Sequence, residues 1–203
     1  MTIWWGRRPD PGSAPSSLVE MLAFGTDEQP DGVRIDLVGE PPAEPMIRVL
    51  VDGSRVLTVQ VPYAASSPPL WYVEHAETSA RPPAYTLVAF ETGDFPDGTI
   101  VDEPTFSELA VGSDQQVGAV RWWPKTGQIH QVYVQPAHRR RGIARKLTLA
   151  AGGYNVGRGW APMWVSGERT ELGEAVVARA GSALRGRITP RTQVMPPMTP
   201  PGA

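Results

Sequence analysis

The chain has no cysteine among its 203 residues. That excludes disulfide staples, a thiol nucleophile and thiolate metal sites, and it fits a reducing compartment. Histidine is scarce as well: His75, His130 and His138 are scattered, without the spacing that assembles a metal site. No apolar run approaches the length of a membrane span, and the opening MTIWWGRRPDPG has no apolar core of signal-peptide length. The expectation is a cytoplasmic chain without a membrane partner. Neither charge sign dominates, since 19 Lys and Arg stand against 21 Asp and Glu for a formal net charge of -2. General attraction to nucleic acid is therefore not expected, and the basic cluster at 139–146 is local. No internal repeat is visible.

What the chain does have is enough apolar sequence for a core. Hydrophobic residues make up 41% and charged residues 20%, the balance of a globular protein of one domain with attachments. Its most informative stretch is QIHQVYVQPAHRRRGIARKLTL, Gln128 to Leu149. It reads as a strand, an arginine-rich turn and the opening of a helix. The turn Arg139-Arg140-Arg141-Gly142-Ile143-Ala144 fits the pattern [Q/R]-x-x-G-x-[G/A]. A strand, a Gly-bearing turn and a helix make a phosphate-binding arrangement, because first-turn N–H groups lack intrahelical partners and carry the positive end of the macrodipole. Gly142 lets backbone approach a pyrophosphate, Ala144 keeps the first turn uncrowded, and Arg139, Arg140, Arg141, Arg145 and Lys146 add a positive field.

With the preceding Val132-Tyr133-Val134-Gln135-Pro136, this segment resembles the acetyl-CoA-binding motif of the GCN5-related N-acetyltransferases (GNAT). The resemblance covers residues 105–182 and is specific over 128–147. It implies an α+β fold: a central mixed, mostly antiparallel twisted sheet with flanking helices, here with a β-rich N-terminal half. It also implies acetyl-CoA as co-substrate. The backbone N–H of Val132 would polarise the acetyl carbonyl, and Val134 would bond the pantetheine arm. The backbones of Arg140, Arg141, Gly142, Ile143, Ala144 and Arg145, with Arg139, would hold the pyrophosphate. Gly142→Glu would then block binding at little cost to the fold.

Taken in order, residues 1–32 read as an irregular arm with a short helix at Ser16–Phe24, capped by Ser16 or Ser17. Residues 33–103 read as a β-rich half, divergent from the family or added to it. Its strands are Val33–Val38, Met46–Val51 and Val56–Val61, the last two joined through Asp52-Gly53, then Leu70–Glu74 and Tyr85–Glu91. Residues 104–195 read as the acyl-CoA-binding core. There, strands at Thr105–Val111, Val117–Trp123 and Gln128–Val134 resemble the family's second to fourth strands. The helix from Gly142 weakens at Gly152-Gly153, a strand follows at Ala161–Ser166, which the resemblance implies diverges from that at 128–134, and a helix spans Thr170–Ala180. A strand at Arg187–Val194 is broken by Pro190, and 196–203 read as a disordered Pro-rich tail.

Two side chains are candidates for the base. His130 shares a strand face with Val132 and Val134 by period-two alternation, where some arylalkylamine acetyltransferases carry a histidine. Glu108, on the preceding strand, is the second candidate for base or amine binding. The family's usual tyrosine acid aligns with Val177, so that acid is missing; Ser166 and Thr170 remain near the cleft to bond a water or the thiol. The expected activity is acyl transfer from acetyl-CoA to a primary amine. The alternatives are a weak or inactive GNAT-fold binding protein, or an enzyme like the phage GNAT-like proteins that modify nucleobases. The acceptor amine stays unidentified, and a homodimer stays open.

Overall fold

The computed structural model describes residues 2–12, 18–179 and 186–196. Two sheets are built in chain order around one helix. The first holds β1 (Trp4–Pro9), β2 (Leu18–Phe24), β3 (Arg34–Asp36), β4 (Ile47–Asp52) and β5 (Arg55–Gln60), in the order β3-β1-β2-β4-β5. The second holds β6 (Trp71–Glu77), β7 (Ala84–Phe90) and β8 (Ile100–Val101), then β9 (Gln116–Trp123), β10 (Gln128–Val134) and β11 (Trp164–Val165). Its order is β11-β10-β9-β7-β6-β8. Short α1 (Glu103–Ser107) lies before β9, and α2 (Ile143–Gly157) lies between β10 and β11. The chain closes with β12 (Glu168–Arg169), α3 (Glu171–Ala178) and β13 (Gln193–Val194). The mostly antiparallel sheet flanked by helices is the α+β architecture expected. Among the described residues no helix is long and apolar enough to cross a membrane.

Helix α2 sits between the sheets and joins them into one core. Toward the second sheet, Leu147 reaches Gly118, and the Tyr154 ring meets Trp122 at 5.9 Å. Toward the first sheet the helix presents glycine. A Cβ on Gly153 would meet Val59, Ile47 and Val49 at 2.8, 2.9 and 3.0 Å, and one on Gly157 would meet Val56 at 2.9 Å. The helix therefore runs through Gly152-Gly153, where the sequence suggests weakening. Dense valine packing from β4 and β5 outweighs the propensity cost, about 1 kcal/mol per glycine. A helix covered on both sides cannot show a clean apolar stripe, and this one does not. Beyond the helix the sheets meet directly, with Val59 N–H donating to the Gly98 carbonyl at 2.7 Å.

Residues 2–12 and 18–24 differ from the expected irregular arm and short helix. Their described parts form the antiparallel pair β1–β2, with Trp4 opposite Phe24 and Trp5 opposite Ala23. Trp5, Met21 and Ala23 face the main core, while Trp4, Leu22 and Phe24 pack under Val33, Ile35 and Leu37. A strand buried on both faces carries a continuous apolar run, which mimics a short helix. The capping residues suggested for that helix, Ser16 and Ser17, lie outside the described residues.

The strand expected at Thr105–Val111 is also absent. Asp102 accepts from Thr105 N–H at 3.0 Å and Pro104 sits in the first turn, so the segment starts α1. Phe106 packs on Trp71 and Phe90 as part of a small apolar cluster. The strand preceding β9 in the sheet is therefore β7, which pairs antiparallel with it from Tyr85↔Trp122 to Phe90↔Gln116.

Gly153→Val is expected to destabilise the fold by about 1–3 kcal/mol through overpacking against β4 and β5. Urea unfolding measures this, and an unchanged midpoint would show that the sheet lies further from α2.

Candidate functional site

The site is built on the free edge of β10. Gln128 and Ile129 pair in parallel with Trp164 and Val165 of β11, and there the pairing ends. Val165 N–H donates instead to the Arg187 carbonyl at 2.9 Å, and Thr189 N–H returns to the Val165 carbonyl at 2.9 Å. The chain after β11 thus turns to the 187–189 segment, and among the described residues the edge of β10 from residue 130 onward has no strand neighbour on that side. This is the divergence expected at 161–166, though the strand itself is only Trp164–Val165.

Which groups face that edge follows from the ladder on the other side. Gln135 N–H donates to the Val117 carbonyl at 3.0 Å across the β9 ladder. Antiparallel strands alternate inward and outward amides, and the register from Gln131↔Arg121 to Val134↔Gly118 is unbroken. The N–H groups of Val132 and Val134 therefore point away from β9, into the space left by β11. The Val134 carbonyl points the same way and accepts from Arg139 Nε at 3.1 Å, which folds that guanidinium onto the end of the cleft.

The edge leads into the turn. Arg140 has φ 63° and Gly142 φ 79°, two left-handed residues that turn the backbone sharply into α2. Gly142 is the N-cap and supplies no side-chain acceptor, so the first-turn amides of Ile143, Ala144 and Arg145 have no cap. A Cβ on Gly142 would lie 2.3 Å from Ser67 Oγ. Any larger residue there strains both the backbone and the Ser67 contact, so Gly142→Glu costs fold stability, contrary to the expectation from sequence. Ser67 itself is buried, and a hollow of about 320 Å³ lined by Gln60, Val61, Ser67, Asp97 and Lys146 lies beside it.

The cations of the turn are not equivalent. Lys146 is 2% exposed and donates to Asp97 at 2.6 Å and to the Pro68 carbonyl at 2.8 Å, facing away from the cleft. Arg141 forks onto Glu91, and Arg145 lies over the Tyr63 ring at 4.3 Å. The field suggested by five clustered cations is thus partly neutralised, since Lys146 and Arg141 are both paired with carboxylates.

The base candidates are placed differently from the expectation. The β9–β10 register shifts between Ile129 and Gln131, so His130 is the extra residue of a bulge. Its ring lies 5.0 Å from that of Trp123, on the face away from α2, whereas Val132 and Val134 pack toward the core on the α2 side. The extra residue breaks the alternation that would have put all three on one face. Burial, then the nearby Arg121 charge, lower the His130 pKa against the opposing pull of Glu77, which favours neutral imidazole. Glu108 is the C-cap of α1 and lies off the sheet, so the strand position assumed for it is wrong.

Near His130, Arg121 binds both oxygens of Glu77 at 2.8–3.0 Å, and Thr86 Oγ1 donates to Glu77 at 2.8 Å. Sequence reasoning missed this pair because its members sit 44 residues apart on different strands. Tyr154 does not replace the absent acid: its hydroxyl donates to Glu74, and burial with that hydrogen bond pushes its pKa far up. Thr170 Oγ1 accepts from Gly173 N–H at 3.0 Å as the N-cap of α3. Ser166 Oγ is 3.4 Å from the Glu168 carbonyl, and Val177 lies half-buried on α3.

The acetyltransferase (GNAT) family model matches residues 55–151, from β5 through the first half of α2. Over that span the chain is similar to the GNAT family. The match contains the β7-β9-β10 meander, the turn and the N-terminus of α2, the parts that build the free edge. No curated protein and no solved structure gives a significant match to the chain.

The Arg121 hydrogen bonds hold the Glu77 carboxyl below its ordinary pKa, against a smaller opposing effect of burial. A lowered folded-state pKa gives stability that is present above the ordinary carboxylate range and lost as pH falls through the folded value. Wild type should therefore exceed Glu77→Gln in urea-unfolding stability at about pH 7 and lose that advantage progressively as pH falls below the ordinary carboxylate range. A gap independent of pH would contradict the pairing.

Proposed function

We propose that the chain is an N-acyltransferase that moves an acetyl or short acyl group from acetyl-CoA to a primary amine by direct attack in a ternary complex. The observation that carries the reading is a pair of outward amides on β10 placed next to a helix first turn that has no side-chain cap. The outward N–H groups of Val132 and Val134 lead along β10 to the uncapped first turn of α2. The family match over 55–151 supports an acyl-CoA donor.

In this reading each residue has a role set by its direction. The amides of Arg140 to Arg145, with the Arg139 guanidinium, receive the pyrophosphate. Val134 N–H bonds the pantetheine arm. Val132 N–H donates to the thioester carbonyl oxygen as charge develops there. The amine nitrogen attacks the carbonyl carbon, the C–S bond breaks and the thiolate leaves. His130 accepts the amine proton from the open face of the sheet, directly or through a water. No role is assigned to Glu108. A second reading, binding without turnover, is favoured by Val177 at the place of the family's tyrosine and by Tyr154 being engaged on Glu74.

The cleanest test of the donor site avoids Gly142. Ala144→Glu puts a carboxylate in the first turn, where it suits the helix dipole and opposes an anionic ligand. Calorimetry should give micromolar CoA binding for wild type and at least roughly tenfold weaker binding for Ala144→Glu, with the melting temperature kept or raised. Equal affinities would remove the turn as the pyrophosphate site. Thiol release with a panel of amines separates turnover from binding alone. In the active case, kcat/KM should lose an acid limb in His130→Ala that wild type shows below the ordinary imidazole range. Identical profiles would exclude His130 as the base.

A further inference from the structure

The turn beneath the proposed pyrophosphate site is held by a carboxylate from another strand. Glu91 directly follows β7. Arg141 donates Nη1 to its Oε2 at 2.8 Å and Nη2 to its Oε1 at 2.5 Å. His138 Nδ1 lies 3.3 Å from the same Oε2 and 3.1 Å from Arg141 Nη1. Glu91 is thus a shared anchor for residues before and after Arg140, and its side chain is only 27% exposed. The Arg141 hydrogen bond leads the effects that hold its carboxyl below the ordinary range.

Arg140 explains why an anchor is needed. Its φ of 63° is a left-handed conformation that is unfavourable for a non-glycine residue and persists only where the surroundings impose it. His138 and Arg141 bracket this residue, and both converge on one carboxylate. With its Nη1–Nη2 fork committed to Glu91, the Arg141 guanidinium has only its Nε side left to offer a phosphate.

We infer that Glu91 is a positioning residue for acyl-CoA: through Arg141 and His138 it fixes the 138–142 turn so that backbone amides, rather than the Arg141 guanidinium, receive the pyrophosphate. The inference rests on the acyl-CoA reading of this turn. The competing role has the opposite sign. If Glu91 were a counter-ion that the ligand displaces from Arg141, neutralising it would free a cation and tighten binding.

The test is calorimetric titration of CoA into wild type, Glu91→Gln, Arg140→Gly and the double variant, with a melting curve for each. Glu91→Gln should weaken binding roughly tenfold by misplacing the turn. In the Arg140→Gly background, where the left-handed conformation needs no anchor, the same change should cost less than about twofold. Tighter binding by Glu91→Gln, unchanged binding, or an equal loss in both backgrounds would overturn the inference. Should Glu91→Gln fail to fold, Arg141→Lys keeps the charge without the fork and should also weaken CoA; unaltered affinity there overturns the inference too. Failure of wild type to bind CoA would instead remove the underlying acyl-CoA reading.

Discussion

Helix α2 must be covered on two sides while its first turn stays open, and the surrounding structure follows from that requirement. One side meets the second sheet through Leu147 and Tyr154, and the other meets β4 and β5 across Gly153 and Gly157. Two such contacts fix the helix axis as no single amphipathic face could. Asn155 strengthens the hold: buried completely, it accepts from Trp122 Nε1 at 2.7 Å and donates to the Ala161 carbonyl at 2.8 Å. A buried amide with its partners in place ties the helix to β9 and to the approach to β11. The N-terminus is then held by Lys146 on Asp97, and the first turn of α2 starts at the end of β10 without a side-chain cap.

The second constraint is the departure of β11. A paired strand along β10 would consume the amides of Val132 and Val134. The chain instead leaves after Val165, and Arg169 closes the new path by donating to the Ser166 and Thr189 carbonyls and to Glu174. The bulge at His130 sits directly after the last paired residues, where bulges terminate pairing and re-aim side chains. Edge, bulge and turn bring two sets of backbone donors to one end of the sheet, the outward amides of β10 and the first turn of α2. In the proposed reading the first set meets amide carbonyls and the second a diphosphate.

Much of this was legible where the signals were local. The Asp52-Gly53 hairpin, the strands at β6, β7, β9 and β10, and the turn into α2 each carry their own residues' signature. The failures have physical causes. Met21–Phe24 is buried on both faces of β2, so its apolar run has no alternation to read. Thr105–Val111 has β-compatible residues, yet Asp102 and Pro104 start a helical turn. His130 falls on a bulge, and a single inserted residue reverses a face assignment made by counting. Glu91, Ser67 and the Glu77–Arg121 pair act across the sheet or across loops, and no local pattern announces such partners.

The most direct test of the central claim is amide hydrogen exchange with and without CoA. The account predicts slower exchange at Val132 and Val134 and across Arg140–Arg145, with Tyr133, already bonded to β9, unchanged. Protection confined to other segments, with these amides exchanging as in the free protein, would contradict it.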